Sequence, residues 1–133
     1  MNDEIRVPIS SGADIMIARQ EGRKLAEKAG LNGSDLTVVA TAISEVARNI
    51  VDYARRGEIL LRMVHQGTRR GIQVQAQDQG PGIADIDRAM QDGYSTGKGL
   101  GLGLPGSKRL MDEFEIDSKP GKGTTIKMIK WLR

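Results

Sequence analysis

At 133 residues the chain has length for one domain with a real core and little room for a second. The net charge of +3 is modest, basic residues are scattered and aromatics make up only 3%, so a stacking platform for nucleic acid is not expected. There is no cysteine and one histidine, His65, which excludes a disulfide framework, a thiolate metal site and a histidine-rich one.

No run of about eighteen apolar residues is present, so no membrane span is expected. The opening MNDEIRVPIS lacks the apolar core of a signal peptide, and the plain expectation is a soluble cytoplasmic protein. There is no internal repeat and no low-complexity tail.

In chain order, Ile5, Val7 and Ile9 alternate with Arg6, Pro8 and Ser10, the pattern of a short strand that Pro8 places at a sheet edge or makes irregular. A helix is predicted over residues 13–29, with Ile15, Ala18, Gly22, Leu25 and Ala29 at helical spacing and Gly30 as its C-terminal cap. A second helix follows Asn32-Gly33-Ser34, with Asn32 or Ser34 as N-cap. Leu36, Ala40, Ile43, Ala47, Ile50 and Ala54 form its apolar stripe, and Thr41, Glu45, Arg48, Asn49, Asp52 and Arg56 fall on the opposite arc.

A hairpin comes next, with strands over residues 58–66 and 72–78 and a turn between them. Ile72, Val74 and Ala76 lie on one face of the return strand and Gln73, Gln75 and Gln77 on the other. One sheet face therefore meets a helical layer and one meets water. Asp78 shares the parity of the apolar set, so its carboxylate points to the covered side and needs a partner.

Residues 83–90 suit a short helix, and residues 93–103 carry five glycines and are expected to be mobile. Pro105 suits the first turn of a third helix, with Leu104, Leu110 or Met111, and Phe114 inward. A short strand over residues 115–118, a turn at Pro120-Gly121-Lys122-Gly123 and a strand over residues 124–131 complete the chain. The strands come in hairpins without βαβ units. The fold class is α+β: a two-layer sandwich of a mixed, mostly antiparallel sheet with helices on one face.

Glu45 and Asn49 are four apart and share a helix face. By itself the pair reads as a solvated surface. Its functional reading is an amide oxygen for magnesium beside a carboxylate that accepts a proton from an attacking hydroxyl. Asp78-Gln79-Gly80-Pro81-Gly82 reads as more than a tight turn, because the inward carboxylate is satisfied by an adenine amino group and Gly82 lets the base approach the backbone. The segment from Gly97 to Gly103 is not a Walker A loop, since Lys98 is followed by Gly99. It matches a dinucleotide fingerprint only formally, because neither a buried strand nor a βαβ unit frames it. The reading that fits is a backbone cradle leading into a helix N-terminus that receives phosphates, with Lys98 adding charge. Gly121-Lys122-Gly123-Thr124 alone reads as a hairpin turn; His65 and Trp131 read as structural.

Together, Glu45-x-x-x-Asn49, Asp78-x-Gly80-x-Gly82, Gly99-x-Gly101-x-Gly103 and Gly121-x-Gly123-Thr124 resemble the four boxes of the GHKL ATPase/kinase superfamily, which has the Bergerat ATP-binding fold. Over nearly its whole length the chain resembles the switch-protein serine/threonine kinases of the bacterial stressosome, relatives of the anti-sigma-factor kinases. The likeness rests on ATAISEVARNI with Tyr53-Ala54, DQGPGI, GYSTGKGLGLGLPGSKRLMDEF and the closing Lys130-Trp131. The resemblance implies ATP and Mg2+ as cofactors and one kinase domain with an ATP lid over residues 83–103. It implies that Asn49 coordinates magnesium, that Glu45 is the catalytic base and that Asp78 binds the adenine amine, with Gly80, Gly82 and Thr124 beside it. Lys98, Gly99, Gly101 and Gly103 then hold the phosphates. Related kinases carry a lid arginine just before the glycine box, where this chain has Lys98.

What the resemblance implies for function is transfer of the ATP γ-phosphate to a serine or threonine of a STAS-domain antagonist or scaffold, followed by activation of a downstream PP2C-type phosphatase. The alternative is an ATP-gated binding module of the anti-sigma-factor kind with little or no catalysis; Glu45 separates the two, since binding alone does not need it. A gyrase-like or Hsp90-like ATPase needs a further transducer domain. A histidine kinase needs a phosphoacceptor histidine on a helical hairpin, and His65 lies on a predicted strand.

Overall fold

The computed structural model describes residues 4–80 and 103–132. Five strands, β1 (Ile5–Ile9), β2 (Gly57–Gln66), β3 (Arg69–Asp78), β4 (Glu113–Ser118) and β5 (Thr124–Trp131), form one sheet in the order β1-β2-β3-β5-β4. Helices α1 (Gly12–Ala29), α2 (Ser34–Asn49) and α3 (Gly103–Leu110) complete the described elements, with a π-helical turn over Ile50–Ala54. The order of elements is the predicted one. All four strand pairings are antiparallel, because β5 enters between β3 and β4 instead of β4 pairing directly with β3.

Helix α1 buries Ile15, Ala18, Gly22, Leu25, Ala26 and Ala29 and packs on β1, β2 and β3 as well as on α2. Gly22 suits that packing: a β-carbon there would meet the terminal methyl of Ile43 on α2, which would have to shift. Gly30 ends the helix at φ 109, with its N–H on the carbonyls of Ala26 and Glu27, as its position predicts. At the start of α1, Asp14 accepts from the Ser10 backbone N–H at 2.8 Å and the Ser10 hydroxyl at 3.1 Å. Those bonds hold its carboxyl below the usual range.

Neither Asn32 nor Ser34 caps α2 through its side chain. Gly33, at φ 57, precedes the helix, and the Asn32 and Gly33 carbonyls accept from Asp35 and Leu36. The apolar stripe Leu36, Ala40, Ile43, Ala47 and Ile50 is buried. The polar arc opposite is not a solvated face. Glu45 is buried, Thr41, Arg48 and Asn49 are half-buried, and only Asp52 and Arg56, beyond the end of α2, are exposed. Arg55 closes the π-helical turn at φ 73, the one positive φ outside glycine among the described residues. Such backbone costs on the order of 1–3 kcal/mol and persists only where its surroundings impose it.

The hairpin turn is shorter than predicted. Gln66 pairs with Arg69, and Gly67 at φ 61 lets two residues reverse the chain. On β3 the apolar set points to the helices, as expected. Gln73, expected in water, is 7% exposed, because Arg62 and Ile129 flank it in register. Gln75 donates to Gln77, and Gln77 donates to Glu58, which also pairs with Arg6. Trp131 is buried, with its indole N–H on Glu113 at 2.6 Å and the Arg69 guanidinium 4.3 Å from the ring centre. Lys119-Pro120-Gly121-Lys122 forms a turn closed by the Lys122 N–H on the Lys119 carbonyl, with Gly121 at φ 78. Phe114, expected on the third helix, lies half-buried on β4, which begins two residues earlier than predicted. The calls over residues 83–90 and 93–102 lie outside the described residues. Among the described residues, no helix is long and apolar enough to cross a membrane.

Arg6, through its hydrogen bonds and charge, holds the Glu58 carboxyl below the usual glutamate range. A depressed folded-state pKa contributes stability above the unfolded value and loses it as pH falls through the folded one. Glu58→Gln should therefore be less stable than wild type at neutral pH. The gap should narrow on acidification below the ordinary glutamate value, which urea denaturation between about pH 7 and about pH 3 would measure.

Candidate functional site

Asp78 is the last residue of β3, and three backbone segments converge on it. In register it faces Gly57 on β2 and Thr124 on β5. A β-carbon on Gly57 would collide with the Gln77 carbonyl and stand 2.9 Å from Asp78 Cβ and 3.1 Å from the side chain of Ile50. One on Gly80 would stand 2.6 Å from Ala54 Cβ and 3.1 Å from Asp78 Oδ1, and one on Gly123 would collide with the Asp78 carbonyl oxygen. The three glycines thus bring β2, the loop after β3 and the turn before β5 against one carboxylate. They also bring the π-helical turn, through Ile50 and Ala54, to the same place.

The Gly80 N–H donates to Asp78 Oδ1 at 2.8 Å, which answers part of the sequence expectation that this carboxylate needs a partner. Among the described residues Oδ2 has none. Thr124, 6% exposed, lies 2.7 Å from the Ser118 hydroxyl, which is 3.2 Å from the Gly123 carbonyl. The carboxylate and this hydroxyl pair sit side by side at one end of the sheet. They supply acceptors and donors suited to a purine amino group and its neighbouring ring nitrogen.

Asn49 ends α2, and the side chain of Ile50, its neighbour in sequence, lies 3.1 Å from where a β-carbon on Gly57 would stand. Glu45 is one turn earlier and 7% exposed. Neither Glu45 nor Asn49 has a hydrogen bond or ion pair among the described residues. Glu45 is not among the buried side-chain atoms left without a partner, so its carboxylate oxygens reach solvent although the residue as a whole is 7% exposed, and they are open to a substrate. Among the described residues no three His, Cys, Asp or Glu side chains cluster to bind a metal. The donor set fits magnesium nonetheless, since that ion takes hard oxygens, keeps waters and completes its shell on phosphates, so one amide oxygen suffices.

Gly103 opens α3, which packs on α2. The structure therefore brings Asp78, Gly80 and Thr124 together and keeps Glu45 and Asn49 on one helix, with Ile50 near Gly57, the register partner of Asp78. Gly82, Lys98, Gly99 and Gly101 lie outside the described residues. Sequence reasoning missed Gly57, Ser118 and the π-helical turn. Gly57 at a strand start and Ser118 before a Pro-Gly turn were visible signals, but only the sheet register shows that they face the site.

The chain belongs to the Histidine kinase-like ATPase domain family, whose pattern covers residues 11–130. Within that class it is 51% identical, over all 133 residues and the full length of both chains, to serine/threonine-protein kinase RsbT of Bacillus subtilis strain 168. It is also 32% identical over 104 residues to the anti-sigma F factor of Thermoanaerobacter sp. strain X514, covering 74% of this chain and 71% of that one. The crystal structure of the RsbU and RsbW domains of Rv1364c from Mycobacterium tuberculosis superposes with a TM-score of 0.66 at 19% identity, covering 98% of this chain and 33% of that one. A mycobacterial sensor histidine kinase, MprB, superposes at 0.57 and 16% identity over 100% of this chain and 99% of that one, so the fold is shared.

The glycine cradle yields a paired test. Gly123→Ala places a β-carbon against main chain at φ 85, whereas Gly121→Ala meets open space at φ 78. Gly121→Ala should cost about 1 kcal/mol, from backbone conformation alone. Gly123→Ala should cost about 3 kcal/mol, because the Asp78 backbone must also shift. Denaturant unfolding of both variants measures the difference.

Proposed function

We propose that the chain is a serine/threonine protein kinase that moves the γ-phosphoryl group of ATP to a hydroxyl of a STAS-domain regulatory protein in a bacterial stress-response partner switch. Released from that partner, it activates a PP2C-type phosphatase; it works as a single ATP-binding domain in the cytoplasm. Kinase activity is supported by the family and by the full-length likeness to a serine/threonine-protein kinase. The observation that carries the chemistry is Glu45, with no hydrogen bond or ion pair among the described residues and with its carboxylate oxygens accessible, one helical turn before Asn49.

Asp78, with one oxygen fixed by Gly80, takes the adenine amino group, and Thr124 supports the adjoining ring edge. Asn49 holds Mg2+ through its amide oxygen, and the ion supplies charge neutralisation for the triphosphate. Gly82 lies beside the base, and Lys98, Gly99, Gly101 and Gly103 hold the phosphates, with residues 83–103 acting as the lid. Glu45 accepts the proton of the attacking serine or threonine as the new phosphorus–oxygen bond forms and the bond to ADP breaks.

A second reading, a nucleotide-gated binding module with little catalysis, is favoured by the 32% identity to an anti-sigma F factor. Glu45 separates the two. With labelled ATP, Mg2+ and a purified STAS-domain protein, wild type should place label on serine or threonine of that protein. Glu45→Ala should lower transfer at least about 100-fold while ATP affinity changes less than about threefold, and Asn49→Ala should lose both transfer and magnesium-dependent binding. Transfer that survives Glu45→Ala removes Glu45 from the base role. Wild type that binds ATP and changes its partner affinity without transferring label supports the binding module instead.

A further inference from the structure

The closing Lys130-Trp131 pair has no part in the chemistry above, yet it is tied closely to α3. Lys130 is 8% exposed and lies on the helix-facing side of β5, in register with Ile72. Its ammonium donates to the Leu110 carbonyl at 3.4 Å and pairs with Asp112 Oδ1 at 3.7 Å. Leu110 is the last residue of α3, so the charge sits at the negative end of that helix. Asp112 is in turn held to β5 from both sides. Its Oδ2 accepts the Trp131 N–H at 2.8 Å, and its own N–H donates to the Ile129 carbonyl at 2.9 Å.

A lysine is an expensive choice for such a place. An apolar side chain of similar length would pack beside Ile72 with no desolvation cost, and buried ion pairs are often no more stabilising than such replacements. What the lysine adds is direction: a hydrogen bond and a charge aimed at one carbonyl. Helix α3 is described over Gly103–Leu110, about 12 Å. In so short a rod, a tilt at the C-terminal end re-aims the N–H groups of the first turn, and hydrogen bonds to phosphate weaken steeply with angle.

We infer that Lys130, held by Asp112, is a positioning residue for the triphosphate: it fixes the far end of α3 so that the first-turn amides point at the phosphates. This rests on the nucleotide reading of the preceding section. It assigns the Lys130–Asp112 clamp a part in phosphate affinity that is separate from its part in stability, and separate from the adenine pocket at Asp78.

The test is calorimetric titration of the full chain with ATP and, separately, with adenosine, which has no phosphate. Lys130→Met should bind ATP about tenfold more weakly, with adenosine affinity unchanged. Lys130→Arg, which keeps the charge and the donor, should recover most of the ATP affinity. An unchanged ATP affinity in Lys130→Met overturns the inference, and so does an equal loss of ATP and adenosine, which marks a purely structural role. Should Lys130→Met fail to fold, Asp112→Asn decides: ATP weakened with adenosine intact supports the clamp, and ATP unchanged refutes it. Wild type that binds adenosine but not ATP refutes the phosphate reading itself, and the positioning role falls with it.

Discussion

The site depends on one steric constraint, the approach of main chain to main chain around Asp78. Gly57, Gly80 and Gly123 each stand where a β-carbon would strike a neighbouring backbone or side chain. Their absence of side chains lets β2, the turn before β5 and the π-helical turn close on one carboxylate. Antiparallel pairing then places Thr124 directly opposite Asp78, so a donor and an acceptor stand side by side at the sheet end without further adjustment. Glycine here costs chain entropy, and it is offset by the packed sheet on which the cradle is built.

The end of α2 translates this cradle into a reactive arrangement. The helix is regular to Asn49 and then widens into a π-helical turn that ends at the strained Arg55. Widening of this kind recurs at functional sites, because it re-aims side chains that a regular helix would spread around its axis. Here it sends Ile50 and Ala54 toward Asp78 while Glu45 and Asn49 remain on the regular turn before it. Glu45, 7% exposed overall, has no hydrogen bond or ion pair among the described residues and is not among the buried side-chain atoms left without a partner.

On the other side of α2, α3 is the link between the glycine-rich segment and the sheet. Its middle is buried and its last carbonyl is held from β5. The nucleotide reading therefore gives the site two differently built halves. The adenine side is a rigid backbone junction. On the inference above, the phosphate side would hang on α3, held at its last carbonyl by Lys130, so the two could be perturbed separately.

The sequence by itself determined the order of elements, the apolar faces of α1, α2 and β3, and the residues of the four glycine-and-carboxylate boxes. These follow from period and spacing, which are local. It named Asp78 as an inward carboxylate from parity alone and placed Glu45 and Asn49 on one helical face. Tertiary structure decided what those residues meet. The insertion of β5 between β3 and β4 puts Gly123, Thr124 and Ser118 against Asp78, and no local pattern encodes which strand pairs with which. The conversion of α2 to a π-helical turn also had no signal in the apolar stripe, which runs through Ala54 as if the helix continued. Glu45 read as solvated because helical spacing reports a face, while burial depends on what packs over that face. Lys130 carried no sequence reading beyond its place in the last strand and in the closing Lys130-Trp131, and only the arrival of α3 above β5 made it a buried charge with two partners, since long-range contacts are fixed by the whole core at once.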